Sequence, residues 1–477
     1  MTDLSRRTFV GGLSAASLAG LLAGCSGPSP APHAGGGGGG NGSGIRWWDH
    51  FGGLQDMHAE WATKQGKALG VNVEYSYNEP SRHTEALQLA NQSNQLPDVY
   101  SNTLGIPLSA LVAGDWLHSL EFSDEARKRL PEGTFVEGIS MLDGKIYGLP
   151  ALSDRQYWAC TWYNADIAEE VGFEPPKSYD EFRAALQAIA KHGQYAPMTL
   201  ALGASGRMGD QIDDLAQSGG FRGWQGLRYD TAEYNYDDDS YVNAIELIKE
   251  ISDNGWLLPG SNSFQIPDAR GRWSAGNIGF FIDGPWSPGG VRSLNEAFLP
   301  KMAVAGQLTP DGEELVITRG APSPTWFVAS TSASPEDANK LLESFTQDEY
   351  QAGLAHAMDQ PPINLDVVSG ADVIEPYAWL VEDFKKRVFR APQAQVRKPE
   401  TADALAFTTP ITPAIGDIVQ GYLGGDIADL RGELVKLNDA YSRDLDAAIE
   451  KANSRGSDIS RSDWEFADWK PGSDYTY

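Results

Sequence analysis

The sequence predicts an α/β protein with two or three hydrophobic cores, and three observations support this. Strand-like and helix-like segments alternate from Ile45 onward, which is the pattern of α/β architecture. The chain has 477 residues, too many for one core. No internal repeat of fixed period occurs, so we expect packed α/β domains.

The first 24 residues have the features of an export signal. Arg6 and Arg7 precede an uncharged apolar run at 8–23, which is shorter than the roughly 20 residues of a membrane-spanning helix. The arginine pair fits the twin-arginine type of signal. The motif "LAGC" at 22–25 resembles the lipobox of bacterial lipoproteins. We therefore predict removal of residues 1–24 and lipidation of Cys25.

Residues 25–44 predict a tether between this anchor and the folded part of the chain. The stretch "SGPSPAPHAGGGGGGNGSG" at 26–44 is rich in Gly, Pro and Ser and has no apolar surface to bury. Such a composition favours a flexible linker. The folded part is therefore expected to begin at Ile45.

Composition excludes several classes of function. The formal net charge is −28, which argues against nucleic-acid binding and against charge-driven binding to anionic lipid. No run of 18 apolar residues follows the signal, so we predict no membrane span. If Cys25 is lipidated, Cys160 has no disulfide partner and is expected to be a buried, inert thiol.

The first strands and helices are predicted from the alternation and the helical periodicity of apolar residues. "IRWW" at 45–48 predicts a strand before a helix over about 54–68. "VNVEYSY" at 71–77 alternates apolar and polar residues as a half-buried strand does. A helix over about 84–91 and a short strand in "LPDVY" at 96–100 follow.

The middle and end of the chain continue the pattern. "YWACTWYN" at 157–164 predicts a strand, and Ser178 with Glu181 predicts a capping box for a helix that stops at Gly193. Ser334 predicts the N-cap of another helix. From about Pro376 the pattern is helical, whereas the acidic, aromatic tail "WEFADWKPGSDYTY" carries no clear prediction.

Motifs for catalysis are largely lacking. The sequence contains no H-E-x-x-H metal site, no complete phosphate loop and no G-x-S-x-G elbow. We expect no cofactor, no metal and no catalytic residue. Because 65 acidic residues allow many pairings, a glycosidase-like pair of carboxylates stays open as an alternative.

Tryptophan is the more informative residue, with 14 in the chain. Several lie beside Gly, Pro or polar residues and not within apolar runs: Trp48, Trp116, Trp224, Trp273, Trp286 and Trp326. A flat ring covers the C–H face of a sugar while nearby polar groups bond its hydroxyls. This set predicts a carbohydrate-binding pocket.

Four segments carry a resemblance to a known family. They are "DGKIYGLP" at 143–150, "TWYNADIAEEVGFEPPKSYDEF" at 161–182, "RWSAGNIGFFIDGPW" at 272–286 and "PTWFVASTSASPEDANKLLESFTQDEYQ" at 324–351. In this order they resemble the extracellular solute-binding proteins of bacterial ABC importers, in the sugar-binding branch that includes maltose-binding protein. The similarity runs from about Ile45 to Ala452.

The resemblance implies a two-lobed periplasmic-binding-protein fold of type II. Two α/β lobes would be joined by crossing segments, with ligand held in the cleft between them. We expect lobe 1 to comprise about 45–150 and 302–334. Lobe 2 is expected to comprise about 151–301 and 335–475.

Candidate ligand-binding residues follow by position from the same resemblance. Trp286 in "GPW" sits where the family places a stacking aromatic. The other candidates lie at strand ends, near the crossings or in exposed aromatic settings: Asp49, His50, Ser101, Asn102, Asp154, Tyr157, Trp224 and Trp326. In "TWF", Trp326 stands where many relatives have small residues, which predicts a narrower cleft.

The resulting hypothesis is a lipid-anchored, monomeric binding protein that captures a sugar, preferably an oligosaccharide, and presents it to a permease. A polyol or glycerol phosphodiester is an alternative, for which Arg155, Arg207 and Arg390 supply cations. A surface glycan hydrolase would require two carboxylates about 5–9.5 Å apart across the cleft. An interaction lipoprotein would lack exposed tryptophans in its cleft.

Overall fold

The computed structural model describes residues 44–477. The predicted export signal, Cys25 and the linker as far as Ser43 lie outside the described residues. Gly44, which the sequence placed in the linker, is already the first residue of a strand. Within the described part, no helix combines the length and apolar character needed to cross a membrane.

The strands of the described residues are short and are spread along most of the chain. They are β1 Gly44–Asp49, β2 Asn72–Tyr77, β3 Val99–Ser101, β4 Met141–Leu142, β5 Lys145–Ile146, β6 Gly148–Leu149, β7 Cys160–Asn164, β8 Ala196–Thr199, β9 Gly223–Trp224, β10 Leu227–Arg228, β11 Ile278–Asp283, β12 Met302–Val304, β13 Ile317–Arg319, β14 Trp326–Val328 and β15 Val388–Arg390.

Helices account for most of the remaining regular structure. They are α1 Gln55–Leu69, α2 Pro80–Gln92, α3 Leu108–Ala113, α4 Asp124–Arg129, α5 Ala165–Val171, α6 Tyr179–His192, α7 Ser205–Ser218, α8 Asp239–Asp253, α9 Ile266–Trp273, α10 Ser287–Asn295, α11 Pro335–Ser344, α12 Asp348–Ala357, α13 Glu375–Arg387, α14 Ala394–Arg397, α15 Thr401–Leu405, α16 Ile415–Gly424 and α17 Leu430–Asn453. Short 3₁₀ turns occupy Gly52–Leu54, Ser261–Ser263, Glu296–Lys301, Leu365–Gly370 and Arg461–Trp464.

A five-stranded sheet in the order β2-β1-β3-β14-β6 forms the centre of lobe 1. β1 pairs in parallel with β2 and β3, whereas β14 is antiparallel to β3. β1 alternates buried and half-buried residues, which places Trp47 in the core. There it meets Trp326 and Phe345 at ring distances of 5.5 and 5.0 Å.

A four-stranded sheet in the order β12-β7-β11-β8 forms the centre of lobe 2. Every residue of β7 and β11 is buried, which is typical of strands covered by helices on both faces. Cys160 lies in β7 as a buried free thiol, and burial raises its pKa well above the ordinary value. The predicted burial of Cys160 is therefore confirmed.

Most predicted elements are confirmed. The helices expected at 54–68, 84–91 and 178–193 correspond to α1, α2 and α6. The capping box of α6 is present, because the Ser178 side chain accepts from the N–H of Glu181. α11 begins after Ser334 as predicted, but the Ser334 side chain makes no capping hydrogen bond.

Three segments of the described chain pass between the lobes: 150–159 and 305–325 connect the two sheets, and 358–374 connects α12 on lobe 1 to α13 on lobe 2. They lie side by side near lobe 1. The N–H of Ser153 donates to the Pro361 carbonyl at 2.9 Å, and the N–H of Thr325 donates to the Leu149 carbonyl at 2.9 Å. These adjacent connections form the mechanical link between the lobes.

The lobe boundaries differ from the prediction in two places. β12, expected in lobe 1, pairs antiparallel with β7 and so belongs to the sheet of lobe 2. Helices α11 and α12, expected in lobe 2, pack on lobe 1 instead. The physical reason is their apolar face, since Phe345 and Tyr350 fill the core beside Trp326.

The C-terminal tail, for which the sequence gave no clear prediction, packs on lobe 2. Trp464, Phe466 and Trp469 are buried. The Trp469 ring meets Tyr229 edge-on at 5.0 Å, and the Phe466 N–H donates to the Tyr229 carbonyl at 2.7 Å. The aromatic residues of the tail therefore complete a hydrophobic surface.

Candidate functional site

Asp49, at the end of β1, is a buried carboxylate whose two oxygens are both occupied. Oδ1 accepts from the N–H groups of His50 and Phe51 at 2.6 and 3.0 Å. Oδ2 accepts from Nδ1 of His58 at 2.7 Å and from the Tyr75 hydroxyl at 2.9 Å. Burial alone would raise the pKa of Asp49, but the charge and hydrogen bond of His58 outweigh it and lower the pKa. No acceptor capacity remains for a ligand.

His50 and Ser101 are brought together, as expected from adjacent strand ends. Nδ1 of His50 lies 2.7 Å from Oγ of Ser101, which lies 3.2 Å from Nε2 of His83. Burial lowers the pKa of His50 to about 4, so its ring is neutral at pH 7. Nδ1 of His83 has no partner among the described residues.

Asn102 and Asp154 bind to the connections between the lobes. The Asn102 amide donates to the Pro324 carbonyl at 3.3 Å. Oδ2 of Asp154 accepts from the N–H and hydroxyl of Ser323 at 2.6 and 3.1 Å. Burial raises the pKa of Asp154. Asp154 therefore joins the first connection to the second, whereas Asn102 joins the end of β3 to the second.

Two predicted ligand contacts require correction because their side chains are in the core. Tyr157 is buried against Phe384 and donates its hydroxyl to Asp383 at 2.8 Å. Trp326 is only 1% exposed because β14 directs it into the core of lobe 1. The expected narrowing of the cleft by "TWF" is therefore also wrong.

The other two candidate tryptophans lie on one surface of lobe 2, which we call the Trp–Arg wall: Trp224, Arg319, Trp158, Arg207 and Trp286. Rings and guanidinium groups alternate along it. The Arg319 Cζ lies 4.2 and 5.5 Å from the ring centres of Trp224 and Trp158. The Arg207 Cζ lies 5.4 and 4.3 Å from those of Trp158 and Trp286. These are cation–π distances.

Trp286 is fixed at the end of β11 by a hydrogen-bonded network. Its Nε1 donates to Oδ1 of Asp283 at 2.9 Å. Oδ2 of Asp283 accepts from Arg270 at 2.7 Å and from the Ser287 hydroxyl at 2.8 Å. A Cβ at Gly284 would overlap the Trp286 ring, so a residue without a side chain is required there.

Arg319 is paired with a carboxylate in the middle of the Trp–Arg wall. It is almost fully buried and forms an ion pair with the buried carboxylate of Asp214. Asp214 also accepts from the backbone N–H groups of Trp158 and Ala159. Burial raises the pKa of Asp214 in spite of these partners. This network holds Trp158 in place.

Arg207 differs, since it donates no hydrogen bond to any residue that the structure describes. Its side chain is 27% exposed, and the nearest acid is Asp210, with Nη1 and Oδ2 3.8 Å apart. Burial raises the pKa of Asp210 to about 6. Nε1 of Trp158 and Nε of Arg319 are also buried without a partner in the described part. The wall therefore presents unused donors.

Two glutamines near the connections have a side-chain oxygen that accepts no hydrogen bond from the described residues. Oε1 of Gln156 and Oε1 of Gln307 are buried and have no partner among residues 44–477. Nε2 of Gln156 donates to Oε1 of Gln360 at 3.3 Å, which joins the first and third connections.

Arg155 and Arg390, the other predicted cations, lie elsewhere. Arg155 binds Asp474 of the tail through both terminal nitrogens of its guanidinium, whereas Arg390 donates only its backbone N–H to Asp474, at 2.8 Å. They line a cavity of about 670 Å³ together with Tyr475 and Tyr477. The predicted ligand-binding residues and cations thus lie in separate places. They are found on the Trp–Arg wall, at the β1 edge (Asp49, His50 and Ser101), along the connections and at this cavity.

The chain matches the sequence model of a known family. The family is described as bacterial extracellular solute-binding protein, and the match covers residues 60–378, more than half of the chain.

The individual proteins that resemble this chain have low sequence identity to it. A curated protein of Brucella abortus described as a binding protein is 26% identical over 248 residues, which are 49% of this chain and 55% of that protein. The chain thus spans about half the length of the curated relatives that it matches first.

Two solved structures show the same fold. RafE in complex with raffinose is 17% identical with a TM-score of 0.64, covering 84% of this chain and 99% of that one. The maltotriose-binding protein of Thermus thermophilus, bound with maltotriose, is 16% identical with a TM-score of 0.60, covering 86% and 99%. The two-lobed α/β fold predicted from the sequence is therefore confirmed.

Proposed function

Because the chain belongs to the family of bacterial extracellular solute-binding proteins, we propose that it captures an oligosaccharide outside the cytoplasm. It then delivers the sugar to the permease of an ABC importer. The protein acts as a monomer and makes or breaks no bond in its ligand.

The Trp–Arg wall is the observation that carries this proposal. Trp158, Trp224 and Trp286 are each only partly exposed and supply flat apolar faces. Unpaired donors of Arg207 lie between these rings. Apolar faces with a few placed polar groups suit a sugar, which has C–H faces and hydroxyl edges.

The ligands of similar proteins support a sugar over other solutes. The solved structures were bound with raffinose and maltotriose, both of which are sugars. Three adjacent connections between the lobes of this chain suit hinge bending that closes the lobes on a ligand.

The proposed ligand contacts are revised accordingly. Trp224 and Trp286 are retained, and Trp158 and Arg207 are added. Among the polar candidates we retain His50, because it is half-buried and its ring has one nitrogen beyond the Ser101 contact. Asp49, Tyr157 and Trp326 are assigned to the fold.

We also propose that Cys25 carries lipid and anchors the protein to the outer face of the membrane. The argument is the order of arginine pair, apolar run, lipobox and Gly-rich linker in the sequence. A single acyl chain anchors weakly, so stable attachment requires at least two chains.

A glycan hydrolase fits less well. It requires two free carboxylates, but Asp214 and Asp283 beside the wall are occupied by arginine and other donors, so neither is a free partner for Asp210. A polyol or glycerol phosphodiester binding protein remains the second candidate, favoured by the free donors of Arg207.

Calorimetric titration with raffinose, maltotriose, glycerol and glycerophosphoglycerol tests the proposal. Saturable binding of a saccharide, with the saccharide recovered intact after a day, is expected. Consumption of the saccharide would support the hydrolase, and binding of only glycerol or glycerophosphoglycerol would support the second candidate.

A further inference from the structure

We infer that the saccharide carries an anionic group, a carboxylate or phosphate, whose oxygens are bound by the guanidinium of Arg207. The inference rests on the proposed function and specifies the ligand class of the same site.

The first argument is the state of the Arg207 side chain. It is about three-quarters buried, yet none of its N–H groups donates a hydrogen bond to a described residue. Removing a cation from water without hydrogen-bonding partners is unfavourable. A bound oxyanion would supply the missing acceptors.

The second argument is a contrast with the neighbouring arginines. Arg319 is hydrogen-bonded to Asp214, and Arg270 to Asp283. These cations are matched by carboxylates of the chain, whereas Asp210 lies 3.8 Å from Arg207, beyond hydrogen-bond distance. On the Trp–Arg wall, Arg207 is therefore the cation left for a ligand.

The third argument is the direction of the hydrogen bonds. A sugar hydroxyl accepts a hydrogen bond but also carries a proton that needs an acceptor. Around Arg207 the unused groups include further donors, Nε1 of Trp158 and Nε of Arg319. Oxygens that only accept match such a surface better, and a guanidinium can bind them through two parallel bonds.

Two indole rings limit the direction of approach to Arg207. Its Cζ lies over the rings of Trp158 and Trp286, 5.4 and 4.3 Å from their centres. The two rings are tilted by 53° to each other. The guanidinium therefore lies against both rings, and an oxyanion would reach it through the 27% of the side chain that is exposed.

Asp210 provides an independent signature. The titratable and charged groups that face it are Arg207, Asp213 and Asp214 on α7 and Arg319 from the second connection. An anion on Arg207 would offset the attraction between Arg207 and Asp210 and raise the pKa of Asp210 further above about 6. Binding of an anionic saccharide at pH 7 is therefore expected to take up protons.

The experiment is calorimetric titration of the wild-type protein at pH 7. The probes are trigalacturonate, neutral maltotriose and glycerophosphoglycerol, which separate a carboxylate from a phosphate source. The variants are Arg207→Met, Arg207→Lys and the control Arg272→Met, since Arg272 lies over the Phe264 ring at 4.6 Å outside the wall.

The wild type is expected to bind trigalacturonate at least 10-fold more tightly than maltotriose. Arg207→Met should lose about 10- to 100-fold in affinity for that probe and little for maltotriose. Arg207→Lys should give an intermediate loss, because it keeps the charge without the planar fork. Proton uptake, measured in buffers of different ionisation enthalpy, should accompany only the anionic probe.

Equal affinity for maltotriose and the anionic probes would overturn the inference while leaving sugar binding intact. The same conclusion would follow if Arg207→Met, folded by circular dichroism, weakened all probes equally. Binding of none of the saccharides would contradict the proposed function as well.

Discussion

The β1 edge of lobe 1 and the Trp–Arg wall of lobe 2 both carry buried charges, but they use them differently. At the β1 edge, Asp49 accepts four hydrogen bonds from within its own lobe. On the wall, Arg207 donates none to the described residues. A satisfied charge stabilises the fold, whereas an unsatisfied one is available to a ligand.

Both regions looked alike in the sequence, as polar or aromatic residues beside strand ends. The difference arises from what other elements bring to them. His58 from α1 and Tyr75 from β2 reach Asp49, while no described residue accepts a hydrogen bond from Arg207. The predictions below test this division, starting from the largest expected effect.

Replacement of Asp49 by Ala is expected to lower the free energy of unfolding by about 3–5 kcal/mol, since it leaves His58 and Tyr75 buried without their shared acceptor. Urea denaturation monitored by circular dichroism measures this. A stability within 1 kcal/mol of the wild type would mean that the β1 edge is not a structural network.

Replacement of Trp286 by Ala is expected to weaken saccharide binding by about 2–3 kcal/mol, because a stacking face of the wall is lost. Intrinsic fluorescence titration measures this change. Trp379→Ala is the matched control, since Trp379 is 44% exposed on α13. Equal losses of affinity in both variants would show that the wall is not part of the binding site.

Asp210→Asn is expected to raise stability at pH 7 by about 1–3 kcal/mol. The pKa of Asp210 is raised from 3.8 to about 6 in the folded state, so the folded state holds the proton more tightly between these values. Its contribution to stability therefore falls as pH rises from about 4 to 6. Denaturation curves at several pH values should show a flatter profile for the variant than for the exposed control Asp372→Asn.

Asp474→Asn is expected to change the free energy of unfolding by only about 0–1 kcal/mol. Its carboxylate is 44% exposed and pairs with Arg155, unlike the buried pair of Asp49 and His58. Thermal unfolding of Asp474→Asn and Asp49→Ala, measured in parallel, compares the contributions of the two carboxylates to stability. A loss as large as that of Asp49→Ala would show that the tail holds the connections together.

The sequence predicted the elements of the fold well because their signals are local. The alternation in β1 and β2 and the capping box before α6 depend on residues within one turn or strand. The lobe boundaries depended on distant pairings, such as β12 with β7, and were less accurate.

The residues of the proposed site were predicted only in part for the same reason. Trp224 and Trp286 stood in turns with Gly and Pro, which marked them as candidates. Trp158 was assigned to a strand, but the strand begins at Cys160, and the Trp158 backbone N–H binds Asp214 instead. No neighbouring residue in the sequence indicated a role for Arg319, because its partner Asp214 lies 105 positions away.

Trp326 shows the opposite error. Its neighbours in the sequence are polar or Pro-rich, which suggested a ligand contact. In the fold, β14 lies between β3 and β6 and directs this ring into a cluster with Trp47 and Phe345. Its burial depends on Trp47 of β1, which is remote in the sequence from the motif that suggested exposure.

A crystal structure with the tightest-binding saccharide probe, either maltotriose or trigalacturonate, tests the central claim most directly. The account predicts a sugar ring stacked on Trp286 or Trp158 and an acceptor oxygen within 3.2 Å of an Arg207 nitrogen. It also predicts that Asp49 keeps its four donors. A saccharide bound in the cavity beside Arg155 and Asp474, with the Trp–Arg wall free, would contradict the account.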